Sequence, residues 1–188
     1  MTDIETEIIY KRVSTDKELD QILDLQHSNL KHSLTEDLKQ KEGFVSVEHT
    51  FEVLKKMNSA CPHFIAKQND RVIGYALCML NTYREDVPVL QSMFNHIDEV
   101  LASKNMDDLQ YLIMGQICID KAHRGKGLFR KLYRNYRSAL QKNYDALITE
   151  VNARNKRSLE AHLSVGFEVL DSHVDHNENW ELIIWRWQ

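Results

Sequence analysis

The sequence predicts one mixed α/β domain, of the α+β kind, spanning residues 1–188, with a central sheet of about seven strands and helices on both faces. Three observations carry that expectation. Apolar, strand-like runs alternate with stretches whose apolar residues recur at helical spacing, the pattern of a sheet covered by helices. No repeat, low-complexity segment or linker interrupts them. A chain of 188 residues with 43% hydrophobic content can bury a real core, roughly 70% of its unfolded surface.

Residues 7–13 have strand character, and Thr15 with Glu18 three positions on forms a capping box ahead of Leu19, Ile22, Leu23 and Leu25. Phe51, Leu54 and Met57 place a second amphipathic helix after Ser46. Residues 63–67 and 71–79 are apolar runs joined by Gln68, Asn69 and Asp70, which reads as a hairpin. Leu90, Met93, Phe94, Ile97 and Leu101 mark a middle helix over the sheet or the substrate cleft. Residues 109–119 form the longest candidate strand and lead through a loop into a helix striped by Leu128, Leu132, Tyr136 and Leu140. A strand at 144–151, a helix at 155–165 stopped by Gly166, and strands at 167–171 and 180–187 complete the order. Residues 171–179 read as a polar connection.

Composition excludes several classes. The net charge of −4 argues against general nucleic-acid binding, which rests on cations meeting phosphates. No apolar stretch approaches the ~20 residues that span a bilayer, and residues 1–6 lack the basic and apolar regions of a secretory leader. No membrane association is expected. Three widely spaced cysteines, Cys61, Cys78 and Cys118, read as free thiols in a reducing compartment, and the chain as cytoplasmic.

Charge is nevertheless uneven. Between 121 and 137 stand Lys121, Arg124, Lys126, Arg130, Lys131, Arg134 and Arg137 with no acid among them, which suits a small polyanionic ligand. Within this island Arg124, Gly125, Lys126, Gly127, Leu128 and Phe129 follow a strand and open a helix. A helix N-terminus offers unpaired N–H groups and a positive dipole end, and glycines let the backbone approach an anion. A tight strand-to-helix turn is the plainer reading of Gly-x-Gly alone. A Rossmann fingerprint would need glycine where Arg130 stands, and a P-loop would need a Gly-Lys-Ser/Thr ending.

The stretch resembles the acetyl-CoA motif of the GNAT superfamily of N-acetyltransferases, Gln/Arg-x-x-Gly-x-Gly/Ala, with Arg124, Gly127 and Phe129 in its three defined positions. Phe129 departs from the usual small residue, so its ring must point away from the pyrophosphate. Downstream, residues 155–167 are similar to the family's Asn-x-x-Ala-x-x-x-Tyr-x-x-x-Gly-Phe segment, with Asn155, Gly166 and Phe167 in register and His162 where tyrosine is common. The resemblance implies a mostly antiparallel sheet, acetyl-CoA as cosubstrate with no metal, and direct attack of an amine on the thioester. It also implies that Asn155 flanks the pantetheine arm, and that the backbone of Gln116, Ile117, Cys118 and Ile119 contacts pantetheine and the reacting carbonyl.

Two candidates bear on the chemistry. His162 is expected to donate a hydrogen bond or proton to the departing thiolate, since imidazole titrates near ~6.5, against a packing role on its helix face. Glu150, the acid at the end of an apolar strand, is a general-base candidate, against an ion pair with Arg154 or Arg157. Cys118 reads as core. His173, Asp175 and His176 suggest a metal only weakly, lying in a polar connection with no further ligand. Trp180, Trp185 and Trp187 read as packing residues of the last hairpin, and Arg130, Lys131 and Arg134 mostly as a solvated face. The expected function is acetyl transfer to a primary amine of a small molecule, peptide or protein. The alternatives are a CoA-binding module of the same fold that has lost turnover, suggested by Phe129 and His162, and a nucleic-acid domain using the basic island.

Overall fold

A computed structural model describes residues 7–187; the acidic start at 1–6 lies outside them. The seven strands are β1 (Ile9–Arg12), β2 (Phe64–Gln68), β3 (Arg71–Met79), β4 (Tyr111–Ile119), β5 (Ala146–Asn152), β6 (Glu168–Asp175) and β7 (Glu178–Arg186). They form one sheet in the order β1-β2-β3-β4-β5-β7-β6, antiparallel throughout except for the β4–β5 pair. Among the described residues six α-helices accompany it: α1 (Asp16–His27), α2 (Glu36–Glu42), α3 (Phe51–Ala60), α4 (Gln91–Ser103), α5 (Leu128–Leu140) and α6 (Lys156–Val165).

Alternation along the strands divides the core between two faces. Ile73, Leu112, Leu147 and Ile183 meet the α5 stripe of Leu128, Leu132, Tyr133 and Tyr136 on one side. On the other, Ile113, Ile148, Leu182 and Ile184 meet Met93, Phe94 and Ile97 of α4, while Ile65, Tyr75 and Leu77 meet Leu19 and Ile22 of α1 and Leu54 of α3. Leu132 is fully buried, so truncating it to alanine should cost on the order of 2–5 kcal/mol.

Local chemistry sets the ends of these elements. Thr15 caps α1 by accepting from the Glu18 N–H at 3.3 Å. The Glu18 carboxylate turns back to accept from the Ser14 N–H (2.9 Å) and from Lys11 (2.7 Å) and Lys67 (3.1 Å). Asn69 and Asp70, both at positive φ, make the two-residue β2–β3 turn.

Two expectations are corrected. Residues 171–179 are not a connection: β6 and β7 pair through Val174–Asn179 and Asp175–Glu178, turning at His176 and Asn177, both at positive φ. β6 is an edge strand with much of its surface in water, so its polar composition hid it. Cys61 and Cys78 are not free thiols but a disulfide joining the end of α3 to β3, with Cα atoms 5.9 Å apart. The sequence offers no apolar stripe to place α2, which has no buried residue and is capped by Thr35. No helix among the described residues is long and apolar enough to cross a membrane.

Candidate active site

The site begins with one extra residue in β4. Against β3, Ile117 pairs with Ala76 and Met114 with Cys78, so three steps on β4 oppose two on β3. This β-bulge at Gly115 and Gln116 puts two successive residues on one face: Gly115 faces Leu77 and Met79, and Gln116 faces Tyr75. On its other edge β4 pairs with β5 only from Tyr111 to Ile113 against Ala146 to Ile148. Beyond that point the two strands part. The Thr149 hydroxyl donates to the Met114 carbonyl at 3.0 Å where the ladder stops.

Two connected clefts occupy the opening and share Phe44, Val45, Ile117, Asn155 and Ser158 as lining. The first, about 210 Å³, runs over the glycine loop and the start of α5. Gly125 (φ 74°) and Gly127 (φ 79°) take the left-handed backbone that only glycine adopts freely, and α5 starts at Gly127 with no side chain capping it. Its first-turn N–H groups therefore face the cleft end of the helix dipole. The Phe129 ring packs edge-on against Tyr133 (5.0 Å) and His162 (5.1 Å), which leaves its N–H to the loop.

Arg124 serves the loop differently from its expected part as a free charge. Its Nε donates to the Ile119 carbonyl (2.9 Å), Nη1 to the Glu42 carbonyl (2.9 Å) and carboxylate (2.7 Å), and Nη2 to Asn29 Oδ1 (2.7 Å). Lys121 also pairs with Glu42. Among the basic island, exposed Lys126 has no ion-pair partner among the described residues and stands between the two glycines. Arg130 reaches the Ser164 carbonyl and Lys131 lies over Tyr10.

The second cleft, about 410 Å³, opens on the α4 face of the sheet. Its wall is apolar through Met79, Leu90, Met93 and Trp180, and its polar groups include Glu150, Asp175 and Glu178. Glu150 shares a face with Ala146 and Ile148, and its side chain is nine-tenths buried. Burial, and then the charge of Asp175, push its carboxyl up to about 7. It faces His173 Nε2 at 3.3 Å rather than Arg154 or Arg157.

The remaining sequence-predicted residues divide clearly. Gln116 spends its side chain inside the protein, accepting from Tyr75 Oη (2.6 Å) and Gln26 Nε2 (2.8 Å) and donating to the Val47 carbonyl (2.7 Å). Asn155 caps α6 and donates to the Phe44 carbonyl at 2.9 Å. Cys118 is buried, its thiol pushed up to about 12 by burial, so it is core and no nucleophile. His162 Nδ1 lies 2.7 Å from the Ser158 carbonyl, which can only accept, so the proton sits on Nδ1 and Nε2 carries a lone pair. Burial pulls the imidazole down to about 4. In the neutral ring Nε2 is thus an acceptor, and it donates only in the charged form, which burial disfavours.

The Acetyltransferase (GNAT) family model matches residues 29–167, which hold the bulge, the parted strands, the loop and α6. This chain belongs to the GNAT family. Among solved GNAT-fold structures it resembles a chain of the NatC complex bound to Gag peptide and CoA (15% identity, covering 97% of this chain and 99% of that one, TM-score 0.67). It also resembles the ribosomal-protein-S18-alanine N-acetyltransferase from Escherichia coli (12%, covering 96% and 94%, TM-score 0.63). A third is yncA from Salmonella typhimurium with its cofactor acetyl-CoA (13%, covering 96% and 94%, TM-score 0.62). At such identities the likeness shows the fold alone. No curated protein matches the chain.

Within the GNAT frame, the residues that sequence reasoning missed are those of the roof. Phe44 and Val45 line both clefts, and Ser46 and Val47 the second. Val45 is held by exchanging hydrogen bonds with Asn29 and Lys31. Lys31, ion-paired with Glu178, closes the far end of the second cleft. These residues have neither periodicity nor a motif, and only the cap chemistry of Thr35 and Thr50 on either side marks the segment. Trp180 lines the second cleft, whereas Trp185 and Trp187 are buried against α5.

Proposed function

We propose that this GNAT chain is an acetyl-CoA-dependent N-acetyltransferase that acetylates a primary amine carried on an apolar stem. The observation that carries the reading is the uncapped, glycine-opened N-terminus of α5 set at the mouth of the parted β4 and β5. The loop suits a pyrophosphate: a Cβ built on Gly125 or Gly127 meets nothing within 4 Å, so the ground beside the backbone is open. The N–H groups of residues 125–129 and the charge of Lys126 would hold the phosphates. Backbone groups of residues 115–119 along the unpaired edge of β4, with Asn155 across the cleft, would hold the pantetheine arm.

Acetyl-CoA supplies an acyl group already activated as a thioester. What the protein must add is a neutral amine, aligned, and a dry site. Apolar Met79, Met93 and Trp180 suit the stem of the acceptor, and the carboxylates Glu150 and Asp175 attract its ammonium group. Glu150, buried and titrating near neutrality, takes the proton as the amine becomes nucleophilic. Through its ring contacts with Phe129, Tyr133 and Phe167, His162 holds α5 against α6. A thiol titrating near ~8.5 leaves without an acid.

The Cys61–Cys78 pair removes the cysteine argument for a reducing compartment. The cytoplasmic assignment rests instead on where acetyl-CoA is supplied. Acetyl transfer measured over an amine panel, alongside calorimetric CoA binding, tests the reading. Tight CoA binding without turnover would replace it with the binding module.

A further inference from the structure

Behind the second cleft, α4 and β6 converge on three ligating side chains that acetyl transfer does not use. Asp171 and His173 are alternate residues of β6 and so share a face, and His96 reaches them from α4. His96 Nε2 lies 2.9 Å from Asp171 Oδ2, and the two imidazoles stack with centroids 3.8 Å apart. One ligand atom from each of the three lies within 4.8 Å of the others. His173 Nδ1 is buried with no hydrogen-bond partner, while its Nε2 faces Glu150.

We propose that His96, Asp171 and His173 form a binding site for a divalent transition-metal ion of borderline softness, Zn²⁺ being the type. Two imidazole nitrogens and one carboxylate suit zinc, cobalt or nickel, whereas calcium and magnesium want oxygen alone. Metal–ligand bonds of about 2.0–2.2 Å put tetrahedral ligand atoms roughly 3.3 Å apart, so small side-chain rotations within the trio suffice. The unpaired Nδ1 of His173 is its natural ligating atom. Its Nε2 lies 3.3 Å from the Glu150 carboxylate, close to the outer-shell contact that orients a histidine ligand. An ion here ties α4 to the β6–β7 hairpin, the two walls of the second cleft, and the site stands whether or not the chain transfers acetyl groups.

The test is titration of tag-free, chelator-stripped protein with zinc chloride by calorimetry and against a chromophoric chelator, with cobalt(II) absorption as a report of the ligand set. One equivalent should bind, and the melting temperature should rise with zinc. His96→Ala, His173→Ala and Asp171→Asn should each bind at least about tenfold more weakly and lose the thermal shift. His27→Ala, a remote exposed histidine paired with Glu48, should bind as the wild type does. Asp171→Asn keeps the side-chain shape and decides the matter if a histidine variant does not fold. Absence of saturable binding, or binding unchanged in Asp171→Asn and His96→Ala, overturns the proposal.

Discussion

Arg124 Nη1 lies 2.7 Å from Glu42 Oε2 across 82 positions of sequence, and the same nitrogen donates to the carbonyl of Glu42. The motif arginine is thus a strut that holds the C-terminal end of α2 above the glycine loop, where orphan carbonyls welcome a cation. Arg124→Lys keeps the charge but loses the fork. It should destabilise the fold by about 1–2 kcal/mol and raise KM for acetyl-CoA with little change in kcat. Denaturant midpoints and steady-state kinetics check this; a kcat loss at constant KM would show that the strut reading is wrong.

Glu150→Gln removes the base while keeping the shape. CoA affinity should stand, and kcat at pH 7 should fall about 10²–10⁴-fold. Because the wild-type carboxyl titrates near 7 and acts as the carboxylate, the rate should climb with pH through about 7, a limb absent from the variant, both measured in chelator. The stability sign is opposite. Burial raises the folded pKa above the unfolded value, so the native state binds the extra proton between about 4.5 and 7, and stability falls with rising pH there. Glu150→Gln should therefore melt above wild type at pH 8.

Gln116→Ala leaves Tyr75 Oη, Gln26 Nε2 and the Val47 carbonyl without their shared partner in a buried network that also includes His49. A cost of about 2–4 kcal/mol follows, and the roof at 43–47 loosens. Hydrogen exchange of residues 43–49 should quicken more than that of β5; uniform quickening would refute the local account.

Glu18 gives an acid-side prediction. Burial would raise its carboxyl, yet hydrogen bonds from Lys11, the Ser14 N–H and Lys67 outweigh it and hold the group at about 2. Its folded pKa is depressed, so its contribution is complete above the unfolded value of about 4.5 and is lost as pH falls toward 2. Glu18→Gln should lower the urea midpoint at pH 7 and narrow the gap to wild type at pH 3. An unchanged gap between the two pH values would rule out the linkage.

What the sequence made legible is whatever has periodicity or a local cap. The α5 stripe of Leu128, Leu132, Tyr136 and Leu140 is buried throughout, the Asn69–Asp70 turn lies where the apolar runs break, and Asn155 caps α6. The illegible part depends on partners far apart in the chain. Arg124 finds Glu42, His96 finds Asp171 across 75 positions, and Cys61 finds Cys78. α2 is held by its cap, the Glu36–Lys39 and Asp37–Lys41 ion pairs and its docking near α6, none of which leaves an apolar signature. The tautomer of His162 is set by the Ser158 carbonyl, a contact that only the folded geometry reveals.

The bulge in β4 makes the whole cleft a matter of counting. Leu112 and Met114 belong to the α5 face before it, and Ile117 and Ile119 belong to that face after it, so the parity of the strand changes between them. Removing Gly115 alone would restore strict alternation while leaving every neighbour on the side it already occupies. Such a deletion should fold and melt no lower than wild type, with its β4–β5 ladder running on past Ile113, and it should not bind CoA. A working site and a plain, closed sheet would then differ by a single codon.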